Sequence, residues 1–175
     1  MVKRHSFFVA AEASAKVFPA AIFSRINSSV KNAACPSFIW NVEGCTPSTR
    51  TSELLAKSGF DWHADFFDSD LPYRHKTPGG VITAVPFTME VNDMPLYVRY
   101  GAEPEAFTRI LERIVSNWPR LGRPAACLDI TVHAHVFGRP FGAIEFMNCL
   151  EAARRYEEWA WLTDHRRLAA LCKAG

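Results

Sequence analysis

Apolar and polar positions along the chain fall into two periods, one helical and one strand-like. Residues 105–118 carry Phe107, Ile110, Leu111, Ile114 and Val115 at three- and four-residue spacing, the stripe of an amphipathic helix. Residues 125–130 are short and apolar, as a buried strand is, and helical spacing returns over 141–159 behind Pro140, which suits a first helical position. An earlier helix has Leu54 and Leu55 as its buried face, Thr46 as N-cap, Pro47 in its first turn and Gly59 as its stop. Residues 60–64 read as a strand, 65–73 as an acidic and aromatic loop, and the β-branched run 81–85 as a second strand entered through Gly79-Gly80 and ended by Pro86. Residues 87–101 form a long loop, a feature more often functional than ornamental in a compact domain. A last strand at 160–162 leads to a terminal helix capped by Thr163 and running to Leu171.

The order helix, strand, strand, helix, strand, helix, strand, helix predicts an α/β fold with a parallel sheet and right-handed crossovers. Parallel strands deliver the loops at their C-terminal ends to one rim, where ligands gather in such folds. Three loops meet there in this reading. One carries Asp65 and Asp70, one Glu90, Asn92 and Asp93, and one His133, His135 and Arg139.

Composition narrows the class. A chain of 175 residues holds one domain with a real core, and its 49% hydrophobic and 22% charged residues are those of an ordinary globular protein. No run of Lys and Arg with interleaved aromatics points to nucleic acid, and no apolar run reaches the length of a membrane span. The cysteines (Cys35, Cys45, Cys127, Cys149, Cys172) are odd in number and form no Cys-x-x-Cys pair, so reduced thiols and a cytoplasmic setting are expected. Residues 1–40 have one acid, Glu12, against Lys3, Arg4, Lys16, Arg25 and Lys31. Export is the alternative there, although Glu12 interrupts the apolar patch that a signal peptide needs. Residues 1–44 are therefore expected to be an atypical, poorly ordered segment, and 45–175 the folded unit.

Two imidazoles two residues apart share a face of a strand. His133 and His135 can then bind a metal with a third ligand from elsewhere, or simply hydrogen-bond at a strand end. Carboxylates close to a histidine can hold a divalent metal or exchange protons, whereas Asp68-Ser69-Asp70 also reads as a solvated turn. Arg139 can grip an anionic group or satisfy carbonyls at the strand end.

Several segments in a fixed order carry a family resemblance: Thr46-Pro47-Ser48-Thr49, then 54–60, then Asp65 with Asp70-Leu71-Pro72-Tyr73, then 85–93, and finally Val132-His133 with Gly138-Arg139-Pro140. From about residue 45 to 171 the chain resembles the C-terminal half of a polysaccharide deacetylase (NodB-homology) domain. The nearest branch is the one with peptidoglycan-deacetylase-like and allantoinase-like hydrolases. The resemblance implies a partial distorted (β/α) barrel whose N-terminal half is missing. It implies hydrolysis of amide-type carbon–nitrogen bonds on a carbohydrate or small amide, with a divalent metal, commonly zinc, held by one Asp and two His. It makes His133 the general acid toward the leaving nitrogen, and places Asp65, Asp70, Glu90, Asn92 and Asp93 around the pocket; the loop reading adds His135 and Arg139 as candidate pocket residues.

The family's Asp-bearing first strand and His-x-x-x-His pair have no counterpart, since no Asp precedes Asp61 and only His5 precedes His63. The chain is accordingly expected to supply no family metal ligand and to be incomplete as an isolated enzyme. Its expected partner is a chain carrying the missing half-barrel, or a second copy. The competing expectation is a non-catalytic remnant that binds carbohydrate or a partner. A new metal site from His133, His135 and Asp65 or Glu90 is a third.

Overall fold

The computed structural model describes residues 6–13, 39–40, 47–123 and 125–174. The basic stretch around Lys16, Arg25 and Lys31, the thiols Cys35 and Cys45, and the Thr46 cap lie outside the described residues. The elements in order are β1 (Ser6–Ala13), β2 (Ile39–Trp40), α1 (Thr51–Lys57), β3 (Trp62–His63), β4 (Tyr73–Thr77), β5 (Gly80–Ala84), β6 (Val91–Asn92), α2 (Ala106–Asn117), β7 (Ala125–Val132), α3 (Pro140–Arg154), β8 (Ala160–Thr163) and α4 (His165–Ala174). Among the described residues they build two four-stranded sheets, ordered β6-β7-β1-β8 and β2-β3-β5-β4, in which every pairing is parallel except that of β4 with β5.

β7 is the spine of the first sheet. Its side chains are buried almost without interruption, as expected of a parallel strand covered on both faces. Ala126, Leu128, Ile130 and Val132 face α2 and α3, meeting Phe107, Leu111, Val115, Phe146 and Cys149 in the larger apolar cluster. Cys127 points the other way, into a smaller cluster with Trp62, Ala64, Val85 and Phe87 from the second sheet and Leu168 and Ala169 from α4. Helix α4 thus helps pack one sheet against the other. Burial pushes the Cys127 thiol up to about 12, which keeps it protonated and inert.

The α/β class and the central helix, strand and helix stand as the pattern predicts, but the single parallel sheet expected is two sheets, one with an antiparallel pair, because β3 and β5 pair with each other and not with β7. β1 pairs with β7 from Ser6 opposite Ala125 to Ala13 opposite Val132, and with β8 on its other side. Phe7-Phe8-Val9 is only an apolar patch in the sequence; two waiting strand edges make it a strand. Helix α1 begins at Thr51 instead of residue 47, because Ser48 and Thr51 first close a hydrogen-bonded turn. β4 has no apolar run and is specified by pairing with β5, so the pattern missed it. Helix α3 stops at Arg154, where Tyr156 and Trp159 turn in against the larger cluster and lead into β8. Asp164, not Thr163, caps α4 by accepting the Arg167 N–H at 2.8 Å. No helix among the described residues is long and apolar enough to cross a membrane.

Gly142 in α3 lets this helix lie directly on the loop that follows β7. A Cβ there would meet the Phe137 Cα at 2.5 Å. Gly142→Ala should therefore push the helix and loop apart and cost about 1–3 kcal/mol, despite the better helix propensity of alanine. Urea unfolding of the two proteins measures this directly, and an unchanged midpoint would show that the contact relaxes freely.

Candidate functional site

The site starts from a two-residue strand. β6 pairs Val91 with Ile130 and Asn92 with Thr131, which carries Asp93 to the end of β7. The Asn92 side chain accepts the Met94 N–H at 3.0 Å and so opens the π-helical turn Met94–Arg99. Asp93 is clamped between strand and turn, with no exposed surface.

A buried carboxylate must be hydrogen-bonded, and this one is. Oδ2 accepts the backbone N–H groups of His133 at 2.7 Å and Phe137 at 3.2 Å. Oδ1 lies 2.6 Å from His133 Nδ1. A carboxylate only accepts, so Nδ1 carries the proton and Nε2 is the nitrogen that can exchange one with a ligand. The His133 side chain is 34% exposed, so it reaches the surface while its inner edge is held. The loop behind it is tight: Val136 and Gly138 N–H both donate to the His133 carbonyl, at 2.9 and 3.2 Å.

The other sequence-predicted residues divide among three places. His135 is exposed, its ring edge-on to His133 at 5.8 Å between centroids, and Arg139 is the exposed N-cap of α3. Asp70 and Glu90 line a second place, a cavity of about 360 Å³ shared with Phe67, Asp68, Phe87 and Met89. Asp70 is paired with Arg123, and Asp68 accepts the Tyr73 hydroxyl at 2.7 Å. Burial, reinforced by that bond, pushes the Tyr73 phenol up to about 12. Asp65 turns inward to a third place, its Oδ2 3.8 Å from His63 Nδ1, beyond hydrogen-bond length.

Two buried imidazoles escaped the sequence reading. His63 Nε2 lies 3.0 Å from the Ser52 hydroxyl. His165 lies 3.3 Å from Asp129 on β7 and stacks on Trp62 at 5.5 Å and 14°. Neither has a local motif, because each partner comes from a distant element. Among the described residues, no three His, Cys, Asp or Glu side chains converge to hold a metal ion. Asp65 is turned into the core against His63, so among the described residues the three-ligand metal site that the resemblance implies does not assemble.

No family model and no curated protein matches the chain. Solved structures do. Puue allantoinase superposes with a TM-score of 0.62 at 24% identity, over 73% of this chain and 44% of that one. A protein assigned as a polysaccharide deacetylase from Mycobacterium smegmatis gives 0.66 at 18% identity, over 78% and 49%. Another, from Pseudomonas aeruginosa PAO1, gives 0.62 at 21% identity, over 83% and 49%. The chain therefore shares the fold of polysaccharide deacetylases and allantoinase, and spans less than half the length of each. The resemblance read from the motifs recurs in the fold.

His63 supplies a test of the packing beneath the rim. Burial, then the nearby His75 charge, pushes its imidazole down from 6.5 to about 4. The unfolded chain binds this proton from about pH 6.5 downward and the folded chain does not. Stability should therefore fall by about 3 kcal/mol as the pH drops from 6.5 to 4. His63→Gln should start less stable and show a flatter melting temperature over that window. A slope equal to that of the unsubstituted protein would assign the acid sensitivity to other groups.

Proposed function

We propose that residues 45–175 are the acid–base part of a carbon–nitrogen hydrolase of the polysaccharide-deacetylase type. In this reading they form a partial distorted (β/α) barrel, joined by the strand Ser6–Ala13 from the preceding segment, and the isolated chain is an incomplete catalyst. The observation that supports it is the buried Asp93 carboxylate holding His133 at the end of β7. The names of the solved neighbours, deacetylase and allantoinase, support an N-acetylated carbohydrate or small amide as substrate.

When an amide is hydrolysed, a water oxygen joins the carbonyl carbon, the C–N bond breaks, and the departing nitrogen needs a proton. In this reading His133 gives that proton from Nε2, while Asp93 fixes the ring and balances the charge of the imidazolium. Exposed His135 and Arg139 flank the reacting group, and Asp70 and Glu90 contact a more distant part of the substrate. No metal ligand is assigned to the chain. The remainder of the site comes from the missing half-barrel on another chain or from a second copy.

A chimaera tests this, with residues 45–175 replacing the matching half of the Mycobacterium smegmatis protein and release of acetate from an N-acetylated oligosaccharide as the readout. The chimaera should be active, and His133→Ala should abolish the activity. Asp93→Asn should lower kcat about 10²–10⁴-fold with little change in KM, since it removes orientation and charge balance and leaves binding intact. Deacetylation by the isolated chain that survives His133→Ala would overturn the assignment. A folded chimaera that binds the oligosaccharide without hydrolysing it would favour the binding remnant.

A further inference from the structure

The cavity of about 360 Å³ on the rim is large enough for a sugar ring or a small amine. Asp68, Asp70 and Glu90 line it with Phe67, Phe87 and Met89, and no described Lys or Arg is among its lining residues. The three carboxylates differ in what they are given. Asp70 is paired with Arg123, and Asp68 accepts the Tyr73 hydroxyl at 2.7 Å, which occupies one oxygen and leaves its charge in place. Glu90 is exposed and forms neither an ion pair nor a side-chain hydrogen bond with any described residue. Asp68 and Glu90 thus bring negative charge with no cationic partner among the described residues, and a cleft with apolar walls focuses such a field.

The walls are aromatic. Phe67 and Phe87 meet at 6.4 Å between ring centroids and 31°, one continuous surface for an organic cation to rest on. Phe67 is 50% exposed, whereas Phe87 is buried and backed by the His165 ring at 5.9 Å. Both loops are pinned before any ligand arrives. The Phe87 N–H donates to the Phe66 carbonyl at 2.9 Å, the Cys127 N–H to the Asp70 carbonyl at 2.8 Å, and the Asp129 N–H to the Thr88 hydroxyl at 2.9 Å. A cation entering the cavity finds charge and aromatic surface in place, with little left to order.

We propose that this cavity binds a protonated amine of the substrate, so that the amide to be cleaved belongs to a molecule that also carries a free amino group. That the amine-bearing molecule is the one cleaved rests on the hydrolase reading of His133, whereas the amine itself follows from the cavity. Among the described residues no three His, Cys, Asp or Glu side chains converge to hold a metal ion, Asp68, Asp70 and Glu90 included. Carboxylates that do not converge, beside an aromatic wall, suit a larger and softer cation. Glu90 precedes Asp93 by three positions, so their Cα atoms are at most about 11 Å apart. Asp93 in turn holds His133 at 2.6 Å. The amine then sits on the sugar next to the reacting N-acetyl group, or across a short linker from it. The substrate class narrows to partly N-acetylated amino-sugar oligomers and N-acetylated diamines.

Titration of the full chain, followed by the NMR shifts of its amides, tests the amine without any turnover. The glucosamine disaccharide and hexamethylenediamine stand for the two kinds of amine, and the fully N-acetylated disaccharide is the neutral counterpart. One of the two amines should shift the amides around the cavity and bind about 10-fold or more tightly than the neutral disaccharide, and the tighter of them identifies the source. Glu90→Gln should remove most of that preference with the melting temperature unchanged, Glu90→Asp should keep part of it, and Phe67→Ala should weaken amine binding about 3- to 10-fold. Raising the pH until the amine loses its proton should abolish the preference. Equal affinity for charged and neutral ligands, a preference indifferent to Glu90→Gln, or zinc displacing the amine from the same amides would overturn the proposal. Amine binding beside an inactive chimaera would uphold the cavity and remove the hydrolase reading alone.

Discussion

A carboxylate with no access to water, two backbone N–H groups and one imidazole N–H form the contact on which the rest of the rim depends. Without those donors, burying Asp93 would cost several kcal/mol. The donors come from a loop that would otherwise have little to define it. Asp93 therefore does two things with one group. It fixes the path of the chain after β7, through the amides of His133 and Phe137, and it fixes the tautomer of the side chain presented there. Orientation of the imidazole and folding of its loop are a single event.

The same economy runs through the layer beneath. Between the sheets, apolar packing by Trp62, Val85, Phe87, Cys127 and Leu168 is interleaved with His63, Asp65, Asp129 and His165. The Thr131 hydroxyl donates to Asp129 at 2.6 Å, and the Asp129 amide donates to Thr88 at 2.9 Å, which ties the 85–90 loop to β7. Helix α4 brings His165 to the Asp129 carboxylate and Leu168 to the apolar neighbours of Cys127. The cavity that holds Asp70 and Glu90 is thus anchored, through Thr88, to the strand that ends at His133.

Where one side chain and its sequence neighbours suffice to specify an element, the sequence is readable. Phe107, Leu111 and Val115 announce α2 by spacing alone, the run before Thr131 announces β7, and Pro140 announces the start of α3. β4 and β1 are not readable in that way. Tyr73-Arg74-His75-Lys76-Thr77 has no apolar alternation, and Phe7-Phe8-Val9 would serve a strand, a helix or a loop equally well. Each becomes a strand because an open edge is offered by residues far away in the chain.

The α/β class, the order of the main elements, and the presence of carboxylates and imidazoles in the loops after strands can be read from the residues in chain order. These follow from periodicity and from the resemblance carried by short motifs, both of which are local. Which carboxylate holds which imidazole is fixed by the three-dimensional fold. Asp93 and His133 are 40 positions apart, and Asp65, nearer to a histidine in sequence, turns into the core instead. Pairing at such separations depends on strand register and on which groups are shut off from water, and both are properties of the packed molecule.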